Sequence, residues 1–232
     1  MSVEITLIGN EGFRVAAPSA TVYVDAFYSP IRGVAGVPSM CSEDVSKADL
    51  LLITHAHWDH FNAFGVADAA SRTNAFVIGP SHAIEELSGK VEASRLISMD
   101  PPRQDSRKGV PFAKKNFPFG SVSAFRTDHG EEHNSYLVEL GGFRFFHDGD
   151  NEDTRILDVS AIGRLDALMI GPWYGSGWAE FIEKVAPKKC FLMHMTEEEL
   201  ADHEKGKFLP EICSRVPEGL VVLRPGQTYI FE

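Results

Sequence analysis

Short apolar runs of strand period dominate the start of the chain. Val3 to Ile8 alternates apolar and polar side chains, and Ala20 to Asp25 (A-T-V-Y-V-D) forms a second run, with Gly9 and Gly12 marking the turn between them. Leu50-Leu51-Leu52-Ile53-Thr54 is continuously apolar up to its last residue, which predicts a strand buried on both faces, and it leads directly into His55. The pattern predicts a helix over 62–70 with Asn62 as its cap, a strand over 76–78, and a helix opened by Pro80-Ser81 and running to Leu87. Residues 100–118, rich in proline, lysine and arginine, predict a long loop. Three β-like runs follow, Ser121 to Arg126, Ser135 to Leu140 and Phe143 to Phe146, the last two joined by Gly141-Gly142 as in a tight hairpin. Strand and helix then alternate through Ala167 to Ile170, Trp178 to Val185, Cys190 to Met193 and Glu197 to Lys205, and two β runs, Leu220 to Leu223 and Tyr229 to Phe231, finish the pattern. A β-rich half with interspersed helices is thus followed by a second half of the same mixture. That predicts one α/β (α+β) domain over 1–232, divided near 120–128 into two equivalent halves, with two sheets inside and helices outside.

Composition narrows the classes. At 232 residues, 44 % hydrophobic and 24 % charged, the chain has the make-up of an ordinary globular protein with a sizeable core. No apolar run is long enough for a bilayer span, and the first residues lack the basic-then-apolar order of a signal peptide. Cys41, Cys190 and Cys213 are odd in number and widely spaced, which fits reduced thiols and a cytoplasmic setting better than disulfides or a zinc knuckle. The net charge of −11 weighs against a nucleic-acid partner, and the cluster Arg103, Arg107, Lys108, Lys114 and Lys115 reads as a solvated loop. A small-molecule substrate is expected, with no membrane; a homo-oligomer is admissible.

The chemistry lies in L-L-L-I-T-H-A-H-W-D-H-F, which places His55, His57, Asp59 and His60 at the exit of an apolar strand. In extended chain His55 and His57 point the same way and can grip one ion, while Asp59 and His60 follow where the chain turns and can aim at a second. Imidazole with carboxylate suits zinc, iron or manganese rather than calcium or magnesium. His129 follows the run ending at Arg126, Asp150 follows the run ending at Phe146, and His194 ends the run from Cys190. Four such strand endings imply one shared metal centre.

The order H-x-H-x-D-H, then H, then G-D, then a late strand-end H resembles the metallo-β-lactamase superfamily. The segments I-T-L-I-G-N-E-G-F, V-Y-V-D-A-F, F-F-H-D-G-D and F-L-M-H are similar to its branch of L-ascorbate 6-phosphate lactonase and related small hydrolases. The resemblance implies a four-layer αββα sandwich. It also implies two divalent transition metal ions, zinc first and manganese or iron as alternatives. His55, His57 and His129 would hold one ion, Asp59, His60 and His194 the other, and Asp150 would bridge them. Asp25 matches an aspartate that supports the metal loop. His133 competes with His129, which directly follows its strand, and Asp148 competes with Asp150, which the G-D pairing favours. His133 and His147 are candidates for an outer hydrogen bond or a substrate contact, while His82 and His203 read as surface or packing residues.

The chain departs from the family pattern in Asn151, where threonine is common, and in Trp173 and Tyr174, which could wall a pocket, stack on a ligand or equally pack into the core at a strand end. The resemblance implies hydrolysis of a small ester, lactone or phosphoester by metal-bound hydroxide, with Asp59 and Asp150 as catalytic groups. An iron-dependent thiol or persulfide dioxygenase, an RNA-processing nuclease and an inert metal-binding protein are the competing classes.

Overall fold

A computed structural model describes residues 2–101, 108–130 and 132–232. The first sheet is built from β1 (Val3–Gly9), β2 (Gly12–Ala16), β3 (Thr21–Val24), β4 (Leu50–Leu52), β5 (Phe76–Gly79) and β6 (Leu96–Ser98). Its chain also carries α1 (Ala63–Thr73) and α2 (Ser81–Glu86). The second sheet takes β7 (Pro111–Phe117), β8 (Gly120–Arg126), β9 (Asn134–Leu140), β10 (Phe143–His147), β11 (Ala167–Ile170), β12 (Lys189–Leu192) and β13 (Leu220–Val222). Helices α3 (Val159–Ile162), α4 (Trp178–Val185), α5 (Glu197–Glu204) and α6 (Phe208–Ile212) belong to this part, and β14 (Thr228–Phe231) returns to the first sheet. The orders are β14-β1-β2-β3-β4-β5-β6 and β13-β12-β11-β10-β9-β8-β7. Each sheet is antiparallel through its first connections and parallel in its last three pairs, β3 to β6 and β10 to β13.

Side-chain alternation along these strands produces the layers. Leu50 and Leu52 face the second sheet together with Val22, Phe13 and Ile5, and meet Val122, Tyr136, Phe145, Met169 and Phe191. Leu51, Ile53 and Val77 point the other way, onto Val66, Ala69 and Ala70 of α1 and Ala83 of α2. Phe146, Leu168, Ile170 and Leu192 likewise cover Trp178, Phe181 and Ile182 of α4 and Ile162 of α3. Three apolar interfaces therefore separate four layers, helix, sheet, sheet, helix, the αββα sandwich that the resemblance implies. Tyr136 on β9 adds a polar stitch across the middle, its hydroxyl donating to the Ile53 carbonyl at 2.8 Å.

Local chemistry sets the element ends. Asn62 caps α1, its side chain accepting from the Phe64 and Gly65 amides. Gly141 and Gly142, at φ 56° and 94°, take the left-handed turn between β9 and β10. Two expectations need correction. The span between the first two predicted strands holds a strand, β2, in which Phe13 and Val15 supply a short alternation that glycine and proline on either side obscure. The predicted loop 100–118 contains β7, whose lysines Lys114 and Lys115 sit on the edge of the second sheet, where charge protects an unpaired strand from association. Arg103 and Arg107 of the basic cluster lie outside the described residues, and Lys108 pairs with Asp128 at 2.7 Å.

Strand direction decides where the polar residues collect. β1 and β3 run the same way, as do β4 and β5 beside them, and β8 runs with β10, β11 and β12. The carboxyl ends of these strands meet along one rim. Asn10, Asp25, His55, His129, Asp150 and His194 all follow those ends in sequence.

Candidate metal centre

The loop after β4 delivers its four polar side chains to two neighbouring clusters. Ligand atoms of His55, His57, His129 and Asp150 lie within 4.8 Å of one another, and so do those of Asp59, His60 and His194. Asp150 joins them, its Oδ2 3.3 Å from His60 Nε2 and 3.7 Å from both His55 Nε2 and His129 Nε2, its Oδ1 3.6 Å from His194 Nε2. His194 Nε2 also lies 3.4 Å from Asp59 Oδ2. Residues from both sheets thus converge on a common point.

A hydrogen-bonded chain behind the clusters fixes the rings. Thr54, the last residue of the apolar run, donates its hydroxyl to Asp25 Oδ2 at 2.5 Å and accepts from His55 Nδ1 at 2.9 Å. The same carboxylate takes the Thr54 amide at 2.9 Å and His60 Nδ1 at 3.1 Å. One buried aspartate therefore holds the Nδ1–H of two histidines, directly and through one hydroxyl, and turns both Nε2 atoms toward Asp150. His129 is oriented the same way by Glu152, which accepts from its Nδ1 at 2.9 Å.

His133 is placed differently. Its Nδ1–H donates to Thr127 Oγ1 at 2.8 Å and its Nε2 accepts the Asp150 amide at 3.0 Å, so both ring nitrogens are occupied within the protein. Burial lowers its pKa to about 3, which keeps it neutral. It holds the Asp150 backbone. His147 donates from Nε2 to the Glu11 carbonyl at 2.9 Å and accepts the Gly149 amide at 3.3 Å, away from both clusters. Asp148, buried beneath the site, accepts from Asn151 at 3.1 Å.

Trp173 packs its ring 4.6 Å from that of His194. Tyr174, offered from sequence as a pocket wall, a stacking partner or a core residue, takes none of these places. It is 90 % exposed, because the tight turn in which the Ser176 amide bonds the Trp173 carbonyl sends successive side chains apart. His82, read from sequence as a surface or packing residue, stands at the mouth: its Nε2 accepts the Ala56 amide at 3.1 Å and its Nδ1 pairs with Glu132. With His55, His57 and His129 these residues line a hollow of about 260 Å³.

Two further residues at the rim went unmarked by sequence reasoning, Asn10 and Glu11 in the turn between β1 and β2. Asn10 donates to the Asp59 carbonyl at 2.9 Å, and Glu11 is completely buried. Their signal was a polar pair between glycines in an otherwise apolar stretch. Asn10, Asp25 and His194 all adopt positive φ, at 48°, 43° and 55°, so backbone strain concentrates at this rim.

The electrostatics are those of a cation site. Burial, then repulsion from His60 and His133, holds His55 neutral. Burial works against ionising Asp59 and Asp150, but His194 and His60 beside the first and His60 beside the second hold both carboxyls far below the usual range. Burial likewise opposes charge on His60, yet Asp150, Asp25 and Asp59 outweigh it and favour a positive charge there. Burial and the nearby Asp150 push the Glu11 carboxyl well above its ordinary value. His55 Nε2, His60 Nε2 and Asp150 Oδ1 are buried without a hydrogen-bond partner, and all three belong to the convergent set. A neutral His55, a His60 placed where positive charge is favoured, ionised carboxylates and orphaned inward atoms fit a divalent transition metal ion.

Among the described residues no helix is long and apolar enough to cross a membrane. The UPF0173 metal-dependent hydrolase of Archaeoglobus fulgidus is 27 % identical over 244 aligned positions, covering 99 % of this chain and 100 % of its own. A second of that description, from Pyrococcus furiosus, is 26 % identical over 97 % of this chain and 98 % of its own. In structure the chain is similar to Igni18, a metallo hydrolase from Ignicoccus hospitalis, with TM-score 0.66 at 16 % identity over 100 % of this chain and 99 % of that one. The metallo-beta-lactamase fold protein YhfI from Bacillus subtilis gives TM-score 0.66 at 12 % identity, with both chains covered to 100 %. The family described as Beta-lactamase superfamily domain matches residues 4–180, taking in every clustered residue from His55 to Asp150 and stopping short of His194. With the sandwich, the rim and the sequence match in agreement, the chain belongs to the beta-lactamase superfamily.

Proposed function

We propose that this protein is a metal-dependent hydrolase of small esters, lactones or phosphoesters that works with two divalent transition metal ions. His55, His57 and His129 would hold one, Asp59, His60 and His194 the other, and Asp150 would touch both. The observation that carries this reading is the pair of donor clusters meeting at Asp150, with buried Nε2 atoms aimed between them. Relatives named metal-dependent hydrolases support it. Bound ions of this kind supply Lewis-acid charge that polarises a carbonyl or phosphoryl oxygen and acidifies water.

The chain's own residues do the remainder. Asp25 and Thr54 hold two imidazoles in the ligating tautomer, and His133 fixes the backbone that carries Asp150. Asp59, its carboxyl held far below the ordinary value beside His194 and His60, would serve both as a ligand and as a proton acceptor. The hollow framed by His82, His129 and Glu132 admits a compact polar group, and the lactonase-like opening and F-F-H-D-G-D segments support lactones among the substrates. Free cysteines, one of them exposed, support a reducing cytoplasmic setting.

Elemental analysis of purified protein, followed by an ester, lactone, thioester and phosphodiester panel with zinc, manganese or iron restored, tests the proposal. About two ions per chain and turnover abolished by Asp150→Ala are expected. Full hydrolysis by thoroughly chelated protein would overturn it, as would oxygen consumption with a persulfide in place of hydrolysis.

A further inference from the structure

Glu11 lies at the rim yet takes no part in the ligand set just described. Its side chain is 0 % exposed and neither carboxyl oxygen has a hydrogen-bond partner. The turn that carries it packs tightly against the end of β3, where a Cβ on Gly12 would stand 2.8 Å from the Asp25 carbonyl. His147 donates to the Glu11 carbonyl at 2.9 Å and secures the backbone from below. So held, the carboxyl group stands beside the second cluster, with ligand atoms grouped with those of Asp150 and His194 and with those of Asp25 and His60. One oxygen is 3.6 Å from His60 Nδ1, and ligand atoms of Glu11, Asp150 and His194 fall within 4.8 Å of one another.

The neighbours named around this carboxyl are Asp150, Asp25, His60 and His194. Two are carboxylates, and the two histidines already spend a nitrogen on Asp25 or face Asp59 and Asp150. A buried carboxyl without a donor, placed among other carboxylates, is the arrangement a cation satisfies.

We infer that Glu11 is a further ligand of the second ion, beside Asp59, His60, His194 and Asp150, and that it makes this site oxygen-rich. The inference rests on the dinuclear reading above and refines it. His55, His57 and His129 give the first site three imidazoles, whereas the second has two imidazoles and three carboxylates. Carboxylate-rich, higher-coordinate sites suit manganese or iron(II), and imidazole-rich four-coordinate sites suit zinc. The two sites then prefer different metals.

The test loads chelator-stripped wild type and Glu11→Gln with zinc, manganese and cobalt(II). Stoichiometry is read by elemental analysis, affinity by chelator competition, and coordination by cobalt absorption. Wild type is expected to bind two ions, with manganese confined to one site. Glu11→Gln is expected to keep one ion, to bind the second at least ~10-fold more weakly, and to change the cobalt spectrum of that site alone. Glu11→Asp, which retains the charge, serves the same comparison if the glutamine variant fails to fold. Two ions held by the variant with unchanged affinity would overturn the ligand role. So would a weakened second ion whose cobalt spectrum is unaltered, which would make Glu11 a support. Wild type that binds no ion would refute the dinuclear reading itself.

Discussion

Replacing Asp25 by asparagine keeps the size of a buried side chain and changes only what its second oxygen can accept. That oxygen takes the Thr54 hydroxyl at 2.5 Å and His60 Nδ1 at 3.1 Å, while the other takes the Thr54 amide at 2.9 Å. An amide nitrogen in its place is a donor facing two donors. The least costly rearrangement moves the His60 proton from Nδ1 to Nε2, the atom that lies 3.3 Å from Asp150 Oδ2 and faces the second cluster. Thr54 must also turn its hydroxyl, which loosens His55 at 2.9 Å. Loss of one outer partner weakens metal binding about 10- to 100-fold, and because this carboxylate serves two rings the upper end is expected, about 2.7 kcal/mol. Stripped wild type and Asp25→Asn titrated with zinc against a chromogenic chelator give the two affinities directly. Thr54→Val, which cuts only the branch to His55, should show the smaller loss, about 10-fold. If Asp25→Asn held zinc within about twofold of wild type, the account of tautomer control through this carboxylate would be wrong.

Further predictions follow the same geometry. His129→Ala should lower metal content and leave the stripped protein about as stable as wild type, whereas His133→Ala should cost the stripped protein about 2–4 kcal/mol in urea unfolding, since it opens a cavity and strands the Asp150 amide; the opposite ranking would exchange their roles. Burial pushes the Tyr136 hydroxyl well above its ordinary value, so the fold holds the neutral phenol. Its contribution is complete below the unfolded-state pKa of about 10 and is lost as pH rises toward the folded value, at up to about 1.4 kcal/mol per pH unit. Tyr136→Phe should therefore cost about 1–2 kcal/mol at neutral pH and flatten the fall in stability above pH ~10, both measurable by urea titration; an unaltered alkaline slope would count against this. Gly149→Ala should lower stability and metal content together, because φ there is 60° and the added methyl would collide with His133 Nε2; a variant with normal metal content would contradict the claim that this turn aims Asp150.

Much of the fold was legible because burial is coupled to period. The continuous Leu50 to Ile53 run does lie between parallel neighbours, and the helix predicted over Trp178 to Val185 forms and buries Trp178, Phe181, Ile182 and Val185. β7 escaped because edge strands carry lysine for reasons unrelated to the core, and β2 because five residues between glycine and proline give too little alternation to register. At the site, spacing located the dense cluster from His55 to His60. Strand-end position favoured His129 over His133, but the physical reason, that the His133 ring is consumed by Thr127 and the Asp150 amide, needs the folded chain. Asn10, Glu11 and His82 were hidden for a related reason. Each reaches the rim through a turn or helix whose placement comes from packing, and a lone polar residue in sequence carries no sign of the company it will keep.

The clustered residues divide between the layers, His55, His57, Asp59 and His60 following a strand of the first sheet, His129, Asp150 and His194 following strands of the second. An ion gripped by both groups would rivet the sandwich along one edge. At the far edge the Gly141-Gly142 hairpin lies against Ser19, away from the clustered residues. Loaded protein should then open like a book about a fixed spine, with slow amide exchange beside the ions and faster exchange near that hairpin. Chelation should release the spine first, so that the edge most rigid in the working protein becomes the one most responsive to metal supply.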